Sequence, residues 1–294
     1  MPLGIEPRGR DLPRTVAENT AALRQLEPAH LPHVTALTRA IGWPHRLEDM
    51  QFALALGQGF AVVEEGRLIG AAMWWPYGER HAMVGTVIVS PEQQGRGIGR
   101  RLMQAIIKAN GDRSLLLNAT EAGLPLYKAL GFEAFDQIGQ YQGVVPDGAV
   151  TAEDPTIRPA TPEDLPALIS LDRSAAGLPR DALTTALTRE GEVIVLEDQA
   201  LIGFSIKRAF GRGSIIGPVV APDATAARAL IGYWLKRSSG AFIRIDLTGE
   251  HGLADWLTQI GFGYAGPAIT MVRGEAPSTG NGATLFAVSS QAMG

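Results

Sequence analysis

Val87-Ile88-Val89-Ser90-Pro91-Glu92-Gln93-Gln94-Gly95-Arg96-Gly97-Ile98-Gly99-Arg100 joins an apolar, β-branched run to a stretch with helical spacing, through a loop holding three glycines in five residues. Glycine weakens both strands and helices, so this concentration needs a cause. Without Cβ atoms the main chain can approach a bulky ligand, and its N–H groups lie at the positive end of the following helix. A loop of that kind suits a phosphate or pyrophosphate.

Outward from the loop, residues 83–89 are unbroken by charge and read as a central strand. Ile98, Leu102, Ala105 and Ile106 fall on one helical face, with Arg100, Arg101, Gln104 and Lys108 largely off it. Asn110-Gly111 ends that helix. Upstream the pattern predicts a strand at 22–26, helices at 30–40 and 47–56, and strands at 60–64 and 68–74 joined by the turn Glu65-Gly66-Arg67. Downstream it predicts a strand at 115–117 and a helix running into Gly131-Phe132.

The chain repeats itself at a slowly drifting interval. Leu31-Pro32 recurs as Leu165-Pro166, Leu68-Ile69-Gly70 as Leu201-Ile202-Gly203, Val89-x-Pro91 as Val220-x-Pro222, and Gly131-Phe132 as Gly261-Phe262. One fold used twice is expected, as domains at 16–145 and 154–275, with a linker rich in Pro and Gly between them. Residues 276–294 form a tail whose apolar part, 284–288, has strand character.

The ligand class follows from the glycine spacing. A P-loop would continue into Gly-Lys-Ser/Thr, but here Arg100-Arg101 follows. A dinucleotide fingerprint needs its third glycine at position 100, although Glu121 lies roughly where that fingerprint wants an acid. What remains, Gln94-x-x-Gly97-x-Gly99 after a Val-x-Pro strand end, resembles the acetyl-coenzyme A loop of the GNAT N-acetyltransferase superfamily. Leu126-Tyr127-Lys128-Ala129-Leu130-Gly131-Phe132 matches the superfamily's Leu-Tyr-x-x-Leu-Gly-Phe helix, and the resemblance covers about residues 22–143. It implies an α/β (α+β) class: a mixed central sheet flanked by helices, duplicated in tandem.

The resemblance also implies roles. Main-chain groups of Val87 and Val89 would hold the pantetheine arm and polarise the thioester carbonyl. Gln94, Gly95, Arg96, Gly97, Ile98, Gly99 and Arg100 would bind the pyrophosphate, and Asn118 the pantetheine. Tyr127 would protonate the departing thiolate: a phenol titrates near ~10 and a thiol near ~8.5, so the acid is charged with its proton at neutral pH. The alternative is that Tyr127 is a buried aromatic only. His81 is the first choice for the base that takes the amine's proton, with Glu79 and Glu64 as others. Trp43, Trp74, Trp75 and Tyr77 would border the acceptor site and suit an apolar or aromatic amine; packing of Trp74 and Trp75 in the core is the competing reading.

The second copy lacks this equipment. After Val220-Ala221-Pro222 come Asp223-Ala224-Thr225-Ala226, with no glycine, and the helix before Gly261-Phe262 has no tyrosine. It is expected to bind no cofactor, to cover a sheet edge and to shape the acceptor pocket. A net charge of -4 gives no footprint for nucleic acid, and zero cysteine removes disulfides, thiolate metal sites and a cysteine nucleophile. With no signal peptide pattern in residues 1–14 and no apolar run of membrane length, the expectation is a cytoplasmic enzyme using acetyl-coenzyme A and no metal. It would act on a small-molecule amine, as a monomer or homodimer, with no nucleic-acid or membrane partner. A protein lysine or N-terminal acetyltransferase and a non-catalytic acyl-coenzyme A sensor are the alternatives.

Overall fold

A computed structural model describes residues 21–151 and 154–294. The first copy runs β1 (Ala22–Gln25), α1 (Leu31–Ala40), α2 (Leu47–Leu56), β2 (Gln58–Glu64), β3 (Arg67–Tyr77), β4 (His81–Val89), α3 (Ile98–Asn110), β5 (Ser114–Ala119), α4 (Leu124–Lys128) and β6 (Glu133–Val144). The second repeats that order: β7 (Ile157–Pro159), α5 (Leu165–Ala176), α6 (Asp181–Glu190), β8 (Glu192–Asp198), β9 (Ala200–Phe210), β10 (Gly213–Ala221), α7 (Ala224–Lys236), β11 (Phe242–Thr248), α8 (Leu253–Gln259) and β12 (Gly263–Arg273). A last strand, β13 (Thr284–Ala287), follows.

The strands make a single sheet in the order β1-β2-β3-β4-β5-β12-β6-β11-β13-β10-β9-β8-β7. The order reads the same from both ends once β13 is set aside, because the two copies meet head to head. They also exchange their final strands. β12 pairs with β5, from Ile269 opposite Ala119 to Arg273 opposite Leu115. β6 pairs with β11, from Phe242 opposite Val144 to Thr248 opposite Ile138. The sheet therefore does not divide where the sequence repeat does. β6 is hard to see in the sequence because its first five residues are exposed and give no alternation.

Alternating side chains send alternate residues to opposite faces. On one face, α1, α2, α5 and α6 share a core that runs across both copies and takes in Trp75, Met83, Phe204 and Ile206. On the other, α3 presses Ile98, Leu102 and Ile106 onto Trp74, Val84 and Leu117, while α7 and α8 cover the second half with Leu230, Trp234 and Leu257. Among the described residues, no helix is long and apolar enough to cross a membrane.

Candidate active site

β4 and β5 run parallel only from His81 opposite Ser114 to Val84 opposite Leu117, and then diverge. Just beyond that point β4 loses register with β3 between the Met73–Gly85 and Ala71–Ile88 pairs. Thr86 stands there at φ +52, a costly conformation for a β-branched residue. The bulge leaves Thr86 and Val87 out of the ladder before pairing with β3 resumes at Ile88 and Val89. A cleft of about 770 Å³ occupies the opening, lined by Val87 and Val89, the loop, Asn118, Leu126 and Tyr127.

The glycine loop forms one end of this cleft. Gly95 and Gly97 stand at φ +77 and +76, where only glycine is unstrained. An added Cβ at either would meet nothing within 4 Å, so the surface is open. Gly97 caps α3 without any side-chain hydrogen bond. Among the described residues, no acceptor pairs with the amides of residues 95–100, at the positive end of a 13-residue helix. Exposed Arg100 adds a cation on the rim. Gly99 has a different purpose: a Cβ there would lie 3.3 Å from Leu126, so its bareness serves the packing of α3 on α4. The loop, its amides and the divergent strands fit a diphosphate and a narrow arm.

Two of the expected ligand contacts, one on the loop and one on β5, have partners within the protein. The Arg96 side chain turns away to Glu64, at 2.7 Å, and only its amide remains for a ligand. Asn118 donates from Nδ2 to the main-chain oxygen of Gln291 at 2.8 Å and accepts from Thr270 Oγ1 at 2.8 Å. Its amide is already held by the second copy and the tail.

Tyr127 lines the cleft yet is buried, and the apolar surroundings push its phenol up to about 12. Its ring lies edge-on to Phe132, 6.0 Å between centroids, and close against Gly123, where a Cβ would stand 2.7 Å from Cε2. The gap to a thiol is therefore wider than the unperturbed values suggest, which favours a hydrogen bond donated to developing thiolate over early proton release.

The expected base and most of the aromatic acceptor set are corrected. His81 is buried at the start of β4 and its Nε2 has no partner. It lies six residues from Val87, about 20 Å along a strand, and takes no part in the cleft. Glu64 is committed to Arg96, whose guanidinium holds its carboxyl below the usual range, and Glu79 is exposed in the turn before β4. Trp74 is buried against Phe60, Trp75 is buried with Nε1 donating to Ala53 O at 2.8 Å, and Tyr77 is buried with its hydroxyl donating to Met293 O at 2.6 Å. Strand alternation directs the two tryptophans into opposite cores, so neither lines the cleft. Trp43 alone of the set lines the cleft.

The end of the cleft around Trp43 is built by residues the sequence did not mark. His45, two positions past Trp43, lies edge-on to Trp43 and to Phe210 of the second copy. Its Nδ1 is buried without a partner, and burial lowers its pKa to about 4, so the ring is neutral. Phe210, Arg212, Arg244, and Ser290 to Met293 complete the wall. The roof is bonded across the copies: Arg46 donates to Ala209 O at 2.9 Å, and Gly211 N to Asp49 at 3.0 Å.

The corresponding place in the second copy is closed twice. Asp223 caps α7, its carboxylate accepting from Ala226 N at 2.8 Å, so the helix satisfies its own terminus. β13 then fills the gap between β10 and β11, pairing Val220 with Leu285 and Leu247 with Ala287. This also settles which strands the tail joins.

Two family models described as acetyltransferase (GNAT) domain match the chain, at residues 168–287 and 56–134. Between them they span roughly two thirds of it, and the chain belongs to the GNAT N-acetyltransferases, with two such domains in tandem. It is 29% identical over 281 residues to the uncharacterized N-acetyltransferase YitH of Bacillus subtilis, covering 92% of this chain and 98% of that one. A putative acetyltransferase from Pyrococcus horikoshii shares the fold with a TM-score of 0.80 at 16% identity, over 97% of this chain and 100% of that one. A tandem GNAT protein from the clavulanic acid biosynthesis pathway has a TM-score of 0.63 at 17% identity, over 88% and 99%.

Proposed function

We propose that this enzyme transfers an acetyl group from acetyl-coenzyme A to a primary amine of a small molecule by direct attack, with Tyr127 as the acid. The observation that carries the reading is the row of unpaired amides at residues 95–100, opening onto the same cleft as Tyr127. Bound there, acetyl-coenzyme A supplies a thioester whose carbonyl carbon the amine attacks as the thiolate departs. The amides of the loop and Arg100 hold the diphosphate. The main chain at Val87, in the bulge, and at Val89, beyond it, holds the arm and orients the carbonyl. Tyr127 donates a hydrogen bond to the sulfur as charge develops, then the proton. His45, neutral on the acceptor side, accepts a hydrogen bond from the incoming amine or from the water that carries its proton away.

A small acceptor is favoured because the acceptor end is roofed by the Arg46–Ala209 and Asp49–Gly211 bonds. A free-thiol assay with acetyl-coenzyme A and a panel of small amines and amine-bearing peptides tests this. Release driven by small amines supports it; release with peptides alone would overturn the small-molecule assignment.

A further inference from the structure

The acceptor end of the cleft carries an excess of positive charge supplied by the second copy. Four arginines gather there. Arg46 is neutralised by Asp49 at 2.6 Å, and Arg244 by the fully buried Asp246 at 2.7 Å. Arg208 and Arg212 have no carboxylate partner among the described residues. Arg208 is buried between Phe52 and Phe210, its Cζ 5.4 and 4.8 Å from the ring centroids. It donates to Ser289 O at 3.2 Å, and its Nε has no acceptor. Arg212 is exposed on the cleft wall. Glu190, whose charge is felt at Arg208, is exposed and forms no ion pair with either among the described residues.

Arg244 is the group best placed to use this field. Asp246 takes its Nε and one side of Nη2. Its Nη1 has no acceptor among the described residues, and the side chain faces the cleft. One carboxylate thus fixes the guanidinium from behind while the remaining edge stays free, a pre-set donor fork for a planar anion. Uncompensated charge in a half-enclosed site is costly unless a ligand answers it. An amine in this field also deprotonates more easily, because nearby cations disfavour the ammonium.

We propose that the acceptor is a small amine that also bears a carboxylate, seated by Arg244 and Arg212, with its apolar body against Trp43 and Phe210. This rests on the transferase reading above. The test compares amino acids with their decarboxylated partners, such as phenylalanine with 2-phenylethylamine and 5-aminovalerate with butylamine, by thiol release. Calorimetry on the enzyme without coenzyme A compares each N-acetylated carboxylate with its carboxylate-free partner.

The carboxylated member of at least one pair is expected to show kcat/KM and affinity at least about tenfold higher. Arg212→Gln and Arg244→Lys should each reduce that preference several-fold with donor KM unchanged; lysine keeps a charge beside Asp246 and loses the fork. Equal or better performance by every carboxylate-free member overturns the proposal. So does the absence of turnover across the panel while coenzyme A binds. If coenzyme A itself fails to bind, the donor reading falls, and the comparison of acetylated products still decides this one.

Discussion

Asn118 of the first copy donates its side-chain amide to the main-chain oxygen of Gln291 at 2.8 Å, 173 residues further along the chain. Its carbonyl oxygen is taken by Thr270 on exchanged strand β12. A residue expected to touch the pantetheine also ties together the floor of the cleft. Asn118→Ala should cost about 1–2 kcal/mol of stability by stranding partners that are out of water. In steady-state kinetics it should raise acceptor KM more than donor KM. A rise confined to the donor would return Asn118 to the pantetheine.

The same floor depends on Gly85. A Cβ there would lie 2.6 Å from Ala292 O and 2.8 Å from its Cα, main-chain atoms that cannot swing aside. Gly85→Ala is expected to lift residues 289–293 and to destabilise the protein by about 1–3 kcal/mol. Denaturant titration with limited proteolysis checks both; an unchanged midpoint and an uncut tail would refute the close packing.

Tyr127→Phe should leave coenzyme A affinity nearly intact and lower kcat at least about tenfold. Gly123→Ala provides an independent check, since its methyl would displace the ring from 2.7 Å without removing the hydroxyl. Both variants should fail in kcat. If only Gly123→Ala is impaired, Tyr127 has no chemical role.

The loop prediction is electrostatic and conformational together. Gly97→Ala forces a Cβ onto φ +76, at a cost of about 1 kcal/mol, and moves the amides. Donor KM should rise about tenfold with acceptor KM little changed. Asp223→Gly in the second copy frees α7 but leaves β13 in the gap, so calorimetry should still find one coenzyme A per chain. Two would show that the strand does not close that copy.

Burial of neutral His45 makes stability depend on pH. The unfolded imidazole takes a proton near 6.5 and the folded one only near 4. Between those values the unfolded state binds more protons, so stability falls as pH drops from 6.5 to 4, by up to about 3 kcal/mol. His45→Phe removes the titrating group and should flatten that slope in urea titrations across this range. An unchanged slope would assign it elsewhere.

Much of the site was legible before any coordinates. The loop from Gln94 to Arg100 and the helix at Tyr127 are local, and residue type and spacing suffice for local structure. Trp74 and Trp75 were ambiguous for the same reason: adjacent strand residues face opposite ways, and only the packed helices show that both faces are covered. His45 gave no signal because its meaning comes from Phe210, far off in sequence.

The sequence by itself determined two copies of one fold, a glycine-rich loop before a helix in the first and its loss in the second. These rest on glycine's conformational freedom, hydrophobic period and capping, all of which act within a few residues. Tertiary structure alone decided the exchange of β6 and β12, the plugging of the second copy by β13, and the arginine-lined wall of the cleft. Each of those joins residues far apart in the chain, and what selects them is burial and pairing across the whole sheet, which no window of sequence contains.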